Sequence, residues 1–318
     1  MAHELTMNGD VAEMAFVGAT PWHGLGQKLE QDASFDEWQI AAGMNWSIES
    51  SPVQFYNDDS GYATNVFDGK NVLYRSDTKA PLSIVTDRYK AVQPVEVLHF
   101  FKSLVEENGF KLHTAGTLFG GKRMWALAET GNFGEVSKDD GVGGFLLLST
   151  SCDRSLSTTA RFTTVRVVCN NTLSWASQDN TNMVSFNHMQ KFDHEAVKTK
   201  LASSVASFGS FMEMAKFLQK QQLDMGRAKT FLLELLKEPE QDFQIVPDSK
   251  PYQKILSLYE SEAKGHELAE HTKWGMLNAV TEYFDHHATN RTQDSKLNSA
   301  WFGNGNKVKT KAVELLLA

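Results

Sequence analysis

Cys169 is the residue in this 318-residue chain that most resembles a nucleophile. It ends the apolar run Val165–Val168 and precedes Asn170, Asn171 and Thr172, where the sequence predicts that a helix begins. A thiol at a helix N-terminus can ionise more easily, and neighbouring amides can supply hydrogen bonds to a reacting group. No Cys-His signature surrounds it, and a cysteine at the end of an apolar strand usually packs as a small hydrophobe. The favoured reading of Cys169 is therefore structural, with Asn170, Asn171 and Thr172 as helix caps.

Other chemistries are weaker still. His266, His271, Asp285, His286 and His287 suggest a metal set, but His266 and His271 are five residues apart and do not share a helical face. Glu282 and His286 do share one, and two ligands do not close a site. The sequence thus predicts no metal and no cofactor. Gly116–Gly121 followed by Lys122 lacks phosphate-loop spacing and falls in a hairpin. Gly303–Lys307 reads as a plain turn before a helix.

What remains is a binding surface. Nine of the sixteen residues from Ser149 to Thr164 are Ser or Thr, with Arg154, Arg161 and Arg166 in or just after them. Arg88, Lys90, Lys122 and Arg123 lie upstream, in sequence expected to join the same sheet. Hydroxyls and guanidinium groups are the usual contacts to phosphate, and Phe119, Trp125 and Phe162 are interleaved as aromatic partners for bases. The seven cations Arg88, Lys90, Lys122, Arg123, Arg154, Arg161 and Arg166 are the expected nucleic-acid-binding set. No residue is assigned a catalytic role.

Composition narrows the class. The net charge of −8 argues against a protein that coats nucleic acid indiscriminately. Between Lys70 and Thr172, however, thirteen Lys/Arg face ten Asp/Glu, so the centre is mildly basic and its flanks acidic. Two cysteines are too few for a disulfide framework. Met1–Asp10 has neither the basic nor the apolar part of a secretory signal, and no apolar run approaches membrane length. The expected setting is the cytoplasm.

The elements that must position these residues fall into two parts. Residues 1–190 read as an α+β core, an antiparallel sheet flanked by helices; residues 191–318 read as mainly helical, either separate or packed on the core as one unit. Ser34 caps a helix carrying Phe35, Trp38 and Ala42. Gln93–Asn108 is a helix with Pro94 in its first turn and Gly109 after its end. Strands are expected at 46–56, 71–75, 111–119, 122–129, 145–150 and 161–168, with turns at Asp68-Gly69 and Gly120-Gly121. Helices follow at 195–222, 227–237, 252–263, 274–288 and 307–317.

Six motifs occur in order: PWHGLG (Pro21–Gly26), DRYKAVQ (Asp87–Gln93), AGTLFGGKRMWALAE (Ala115–Glu129), VRVVCNNTL (Val165–Leu173), WGMLNAVTEYFDH (Trp274–His286) and WFGNGNKVKTKA (Trp301–Ala312). Together they resemble the phage/plasmid-like protein family catalogued as a domain of unknown function. That resemblance implies a chain carried by a bacteriophage, prophage or plasmid, acting inside a bacterial host. The order helix, strands, helix is also similar to the single-strand annealing proteins of recombination, whose curved sheets assemble into rings or filaments. This likeness implies a homo-oligomer that binds and anneals single-stranded DNA. The competing expectations are a protein-interaction factor using the acidic helical part, or an enzyme using Cys169.

Overall fold

The computed structural model describes residues 6–18, 21, 24–56, 64–168, 171–173, 183–186, 194–237, 246–289 and 293–318. The chain is α+β, with sheets flanked by helices and a helical C-terminal part. It forms two compact units: Met1–Glu129, Leu146–Arg161 and Met183–Lys200 make the first; Thr130–Phe145, Phe162–Asn182 and Leu201–Ala318 make the second. The chain thus passes between units several times.

The first unit opens with a ribbon of β1 (Met7–Asn8) and β2 (Val11–Ala12), then β3 (Met14–Val17) and β4 (Gln27–Leu29). β3 pairs in parallel with β4, an exception in an otherwise antiparallel sheet, and antiparallel with β8 (Lys111–Leu118). β8 continues the sheet to β9 (Arg123–Glu135), with a bulge at His113, and to the near parts of β10 (Gly141–Ser151), β11 (Thr158–Arg166) and β13 (Met183–Phe186). A second sheet holds β5 (Ile48–Phe55), β6 (Asn65–Arg75) and β7 (Pro81–Thr86) in that order.

Two helices pack here, α1 (Phe35–Ala41) and α2 (Pro94–Asn108). Ser34 and Glu37 form a reciprocal capping box on α1, and Trp38 and Ala41 turn inward. Val97, Leu98 and Phe100 of α2 are buried. A buried ion pair joins sequence-distant parts: Arg75 reaches Glu13 at 2.8 Å and lies 4.2 Å over the Trp46 ring. The other partner of that carboxylate is the Thr117 hydroxyl.

In the second unit, the far end of β11 pairs antiparallel with β12 (Asn171–Leu173), and β11, β10 and β9 follow it in the sheet order. The helices are the main part of α3 (His194–Lys220), then α4 (Met225–Leu236), α5 (Lys250–Ser257), α6 (Lys273–Glu282), α7 (Gln293–Phe302) and α8 (Asn304–Leu317). π-helical turns extend α5 through Glu262 and α6 through His287. Phe162, Phe208, Phe211, Leu232, Ile255 and Trp274 belong to one apolar core.

Three local expectations change. Asn171–Leu173 is a strand, because its backbone finds tertiary partners: Asp285 accepts from Thr172 N–H at 2.7 Å, and Lys309 donates to Thr172 C=O at 2.6 Å. Asp68-Gly69 lies within β6, where the pairing with β5 shifts register. Gly303–Lys307 is no turn, since α8 starts at Asn304.

Candidate functional site

Three loops of the first unit, far apart in sequence, are fastened together: Asp87–Lys90 after β7, Phe119–Lys122 before β9, and Cys152–Ser157 between β10 and β11. The Tyr89 hydroxyl donates to the Ser151 carbonyl at 2.9 Å. Ser83 Oγ donates to the Cys152 carbonyl at 2.7 Å, and Cys152 N–H to the Lys122 carbonyl at 2.9 Å. Arg123 Nη2 donates to Ser155 Oγ at 2.7 Å.

The Phe119–Lys122 turn needs its glycines. Gly121 has φ +91°, and a Cβ there would lie 2.6 Å from the Trp46 ring. Phe119 (φ 56°) and Arg154 (φ 65°) also adopt left-handed backbone, a conformation that costs side-chain-bearing residues about 1–3 kcal/mol and persists where surroundings enforce it.

Charge around the loops is predominantly positive. Arg88, Lys90 and Arg154 are exposed, and Lys122 is half-buried. Burial raises the Tyr89 phenol well above its usual range, the charges of Cys152 and Asp153 add to that, and Arg154 opposes it. Arg88 and Lys90 flank Tyr89 in the chain. Burial pulls Arg123 down, partly offset by the charge of Asp153. Burial also pushes at Asp153, but hydrogen bonds from Ser155 and Ser151 and the charge of Arg123 outweigh it and hold the carboxyl low.

The other expected cations are withdrawn from the surface to differing degrees. Arg123 is buried, with its guanidinium 5.6 Å over the Phe119 ring. Arg161 is half-buried on β11, and desolvation lowers it to about 10. Arg166 belongs to the second unit and is interior: Nε meets Asp140 at 2.6 Å, while Nη1 and Nη2 donate to the Lys264 and Gly265 carbonyls. Trp274 Nε1 donates to the other Asp140 oxygen at 2.9 Å. Arg166 is thus committed to holding the fold.

The hydroxyl run is also largely internal. Ser149 pairs with Thr159 at 2.9 Å and Thr150 with Thr158 at 2.7 Å, while Thr163 and Thr164 donate to the Leu173 carbonyl. Trp125 and Phe162 are sealed inside, at 0% and 1% exposure. Tyr89, the residue that links the loops, has no signal in the sequence beyond its place between two cations.

Cys169 and Asn170 lie outside the described residues. Cys152 is a buried free thiol whose burial pushes it up to about 12. Among the described residues no three His, Cys, Asp or Glu side chains are placed to hold a metal ion. Asp285 is bonded to Lys309 at 2.6 Å, and His287 faces Glu282 at 3.6 Å.

A family model described as a domain of unknown function (DUF932) matches residues 81–301, well over half of the chain. The chain belongs to this family. The region shared with the DUF932 family runs from the start of β7 into α7, so it includes all three loops and the buried Arg166–Asp140 pair. Of the buried Asp285–Lys309 pair, Lys309 lies beyond it. No curated protein and no solved structure matches the chain.

Proposed function

We propose that this is a phage- or plasmid-encoded protein that binds single-stranded DNA and promotes annealing during replication or recombination in the cytoplasm of a bacterial host. It does so as a homo-oligomer, without a cofactor. The observation that carries the reading is that the loops bearing Arg88 and Lys90, Lys122, and Arg154 are bonded to one another through Tyr89 and Cys152. Cations on fixed loops suit a backbone whose phosphates repeat at regular spacing. The acidic remainder of the chain limits such contacts to this face. Among the described residues no helix is long and apolar enough to cross a membrane.

Fluorescence anisotropy with a labelled oligo(dT) tests it. Each neutralised phosphate of a single strand adds about 0.7 to the slope of log affinity against log salt, so four contacts give a slope near −3. Raising salt from about 50 to about 200 mM then lowers affinity roughly 50-fold. Absence of binding at low salt, or binding indifferent to salt, defeats the reading.

A further inference from the structure

The aromatic residues expected to stack bases are mostly interior, yet the β5–β6 hairpin carries exposed ones. Phe55 is 45% exposed and Phe67 52% exposed, at the end of the β5–β6 hairpin, with Val66 and Tyr56 next to them and also exposed. Phe55 pairs with Asn65, two residues before Phe67 on β6.

This hairpin is continuous with the cation-bearing loop. Lys70 of β6 pairs with Thr86 of β7, and Asp87 Oδ1 lies 3.5 Å from where a Gly69 Cβ would be. Thus the chain that carries Phe67 runs alongside the chain that leads into Arg88 and Lys90. Large rings are ordinarily withdrawn from water; these stay exposed on the hairpin whose β6 strand pairs with the strand leading into Arg88 and Lys90.

From this continuity we infer that Phe55 and Phe67 form a base-stacking platform beside the phosphate-binding loops, so that the ligand is an unpaired strand whose bases lie on these rings. The inference rests on the strand-binding function proposed above. A nucleic-acid single strand has both the anionic backbone and the apolar ring faces that this surface complements. A duplex hides its base faces in the stack, and an inorganic polyanion has none. Stacking accepts every base, so the platform selects strandedness and not sequence.

The experiment compares anisotropy titrations of the intact protein with oligo(dT) and with an abasic strand of equal length and charge. The expected result is at least roughly 10-fold tighter binding to oligo(dT), in keeping with base–aromatic stacking. The double variant Phe55→Ala, Phe67→Ala should lose that preference while keeping both the abasic affinity and the salt slope. The variant Phe55→Leu, Phe67→Leu, which keeps apolar bulk without a ring, should lose it too. Circular dichroism checks that each variant is folded. Equal binding of the native protein to the two strands, or a preference that survives in the leucine variant, overturns the platform and leaves the phosphate surface standing. Binding to neither strand overturns the phosphate surface itself.

Discussion

Tyr89 and Ser151 are 62 residues apart, and the phenolic hydroxyl of the first donates to the backbone carbonyl of the second at 2.9 Å. This bond fastens the loop carrying Arg88 and Lys90 to the end of the strand that leads into Arg154. The cation cluster depends on it because neither loop has regular secondary structure to fix its register.

Replacing Tyr89 with Phe removes the donor and keeps the ring. A net hydrogen bond of this kind contributes about 0.5–1.5 kcal/mol. The urea midpoint should fall accordingly, and affinity for oligo(dT) should drop several-fold as Arg88 and Lys90 lose their position relative to Arg154. Unchanged affinity in a measurably destabilised variant would separate the bond from binding.

Cys152 should resist alkylation. Its thiol is buried and pushed up to about 12, so almost no thiolate exists at pH 8. Iodoacetamide followed by mass spectrometry should leave Cys152 unmodified in native protein and modify it in urea. The linkage sign follows: a folded value above the ordinary thiol value of about 8.5 gives stability that is complete below that pH and is lost as pH rises toward 12. Stability measured between pH 8 and 11 should therefore decline less steeply in Cys152→Ala than in the native chain.

Arg166 should matter to folding. Arg166→Met leaves the Asp140 carboxylate, which has 0% exposure, without its charge partner. Breaking a buried pair in this way costs about 3–5 kcal/mol. Urea unfolding should show a loss of that order, and the folded fraction should bind oligo(dT) as the native protein does. The double variant Arg166→Met, Asp140→Leu should recover part of the loss, limited by Trp274 Nε1, whose acceptor on Asp140 is then gone.

These contrasts mark what local sequence can reveal. The α1 cap was legible because Ser34 and Glu37 act within one turn. The β8–β9 hairpin was legible because Gly120 and Gly121 permit the left-handed turn that joins the strands. β12 was not legible: its backbone is held by Asp285 and Lys309, 113 and 137 residues from Thr172. Strand alternation predicts a solvated face for β9, yet Met124, Trp125, Ala126, Leu127 and Ala128 are all buried. With both faces covered, alternation no longer distinguishes inward from outward. For the same reason the set of cations could be read from the sequence, but not which of them reach water. Arg166 and Arg88 look alike as letters, and only the sheet and the loop bonds separate an internal clamp from an exposed charge.

The decisive charge prediction concerns Arg88 and Arg154. Both are exposed, on loops joined through Tyr89 and Ser151, and neither lies in the buried ion pairs that hold the fold. Arg88→Ala with Arg154→Ala should leave thermal stability nearly unchanged, since surface substitutions usually stay within about 0.5 kcal/mol. On the proposed reading this removes two phosphate contacts, so the salt slope for oligo(dT) should shrink in magnitude by roughly 1.4, two contacts at about 0.7 each. Arg123→Ala would not give so clean a result, because that buried guanidinium also holds Ser155 and covers the Phe119 ring. Slopes measured by anisotropy over a salt series check the difference directly. A double variant that binds more weakly with an unchanged slope would mean that Arg88 and Arg154 act on loop shape and not on phosphate. A double variant with native affinity and native slope would place the strand on another face of the protein.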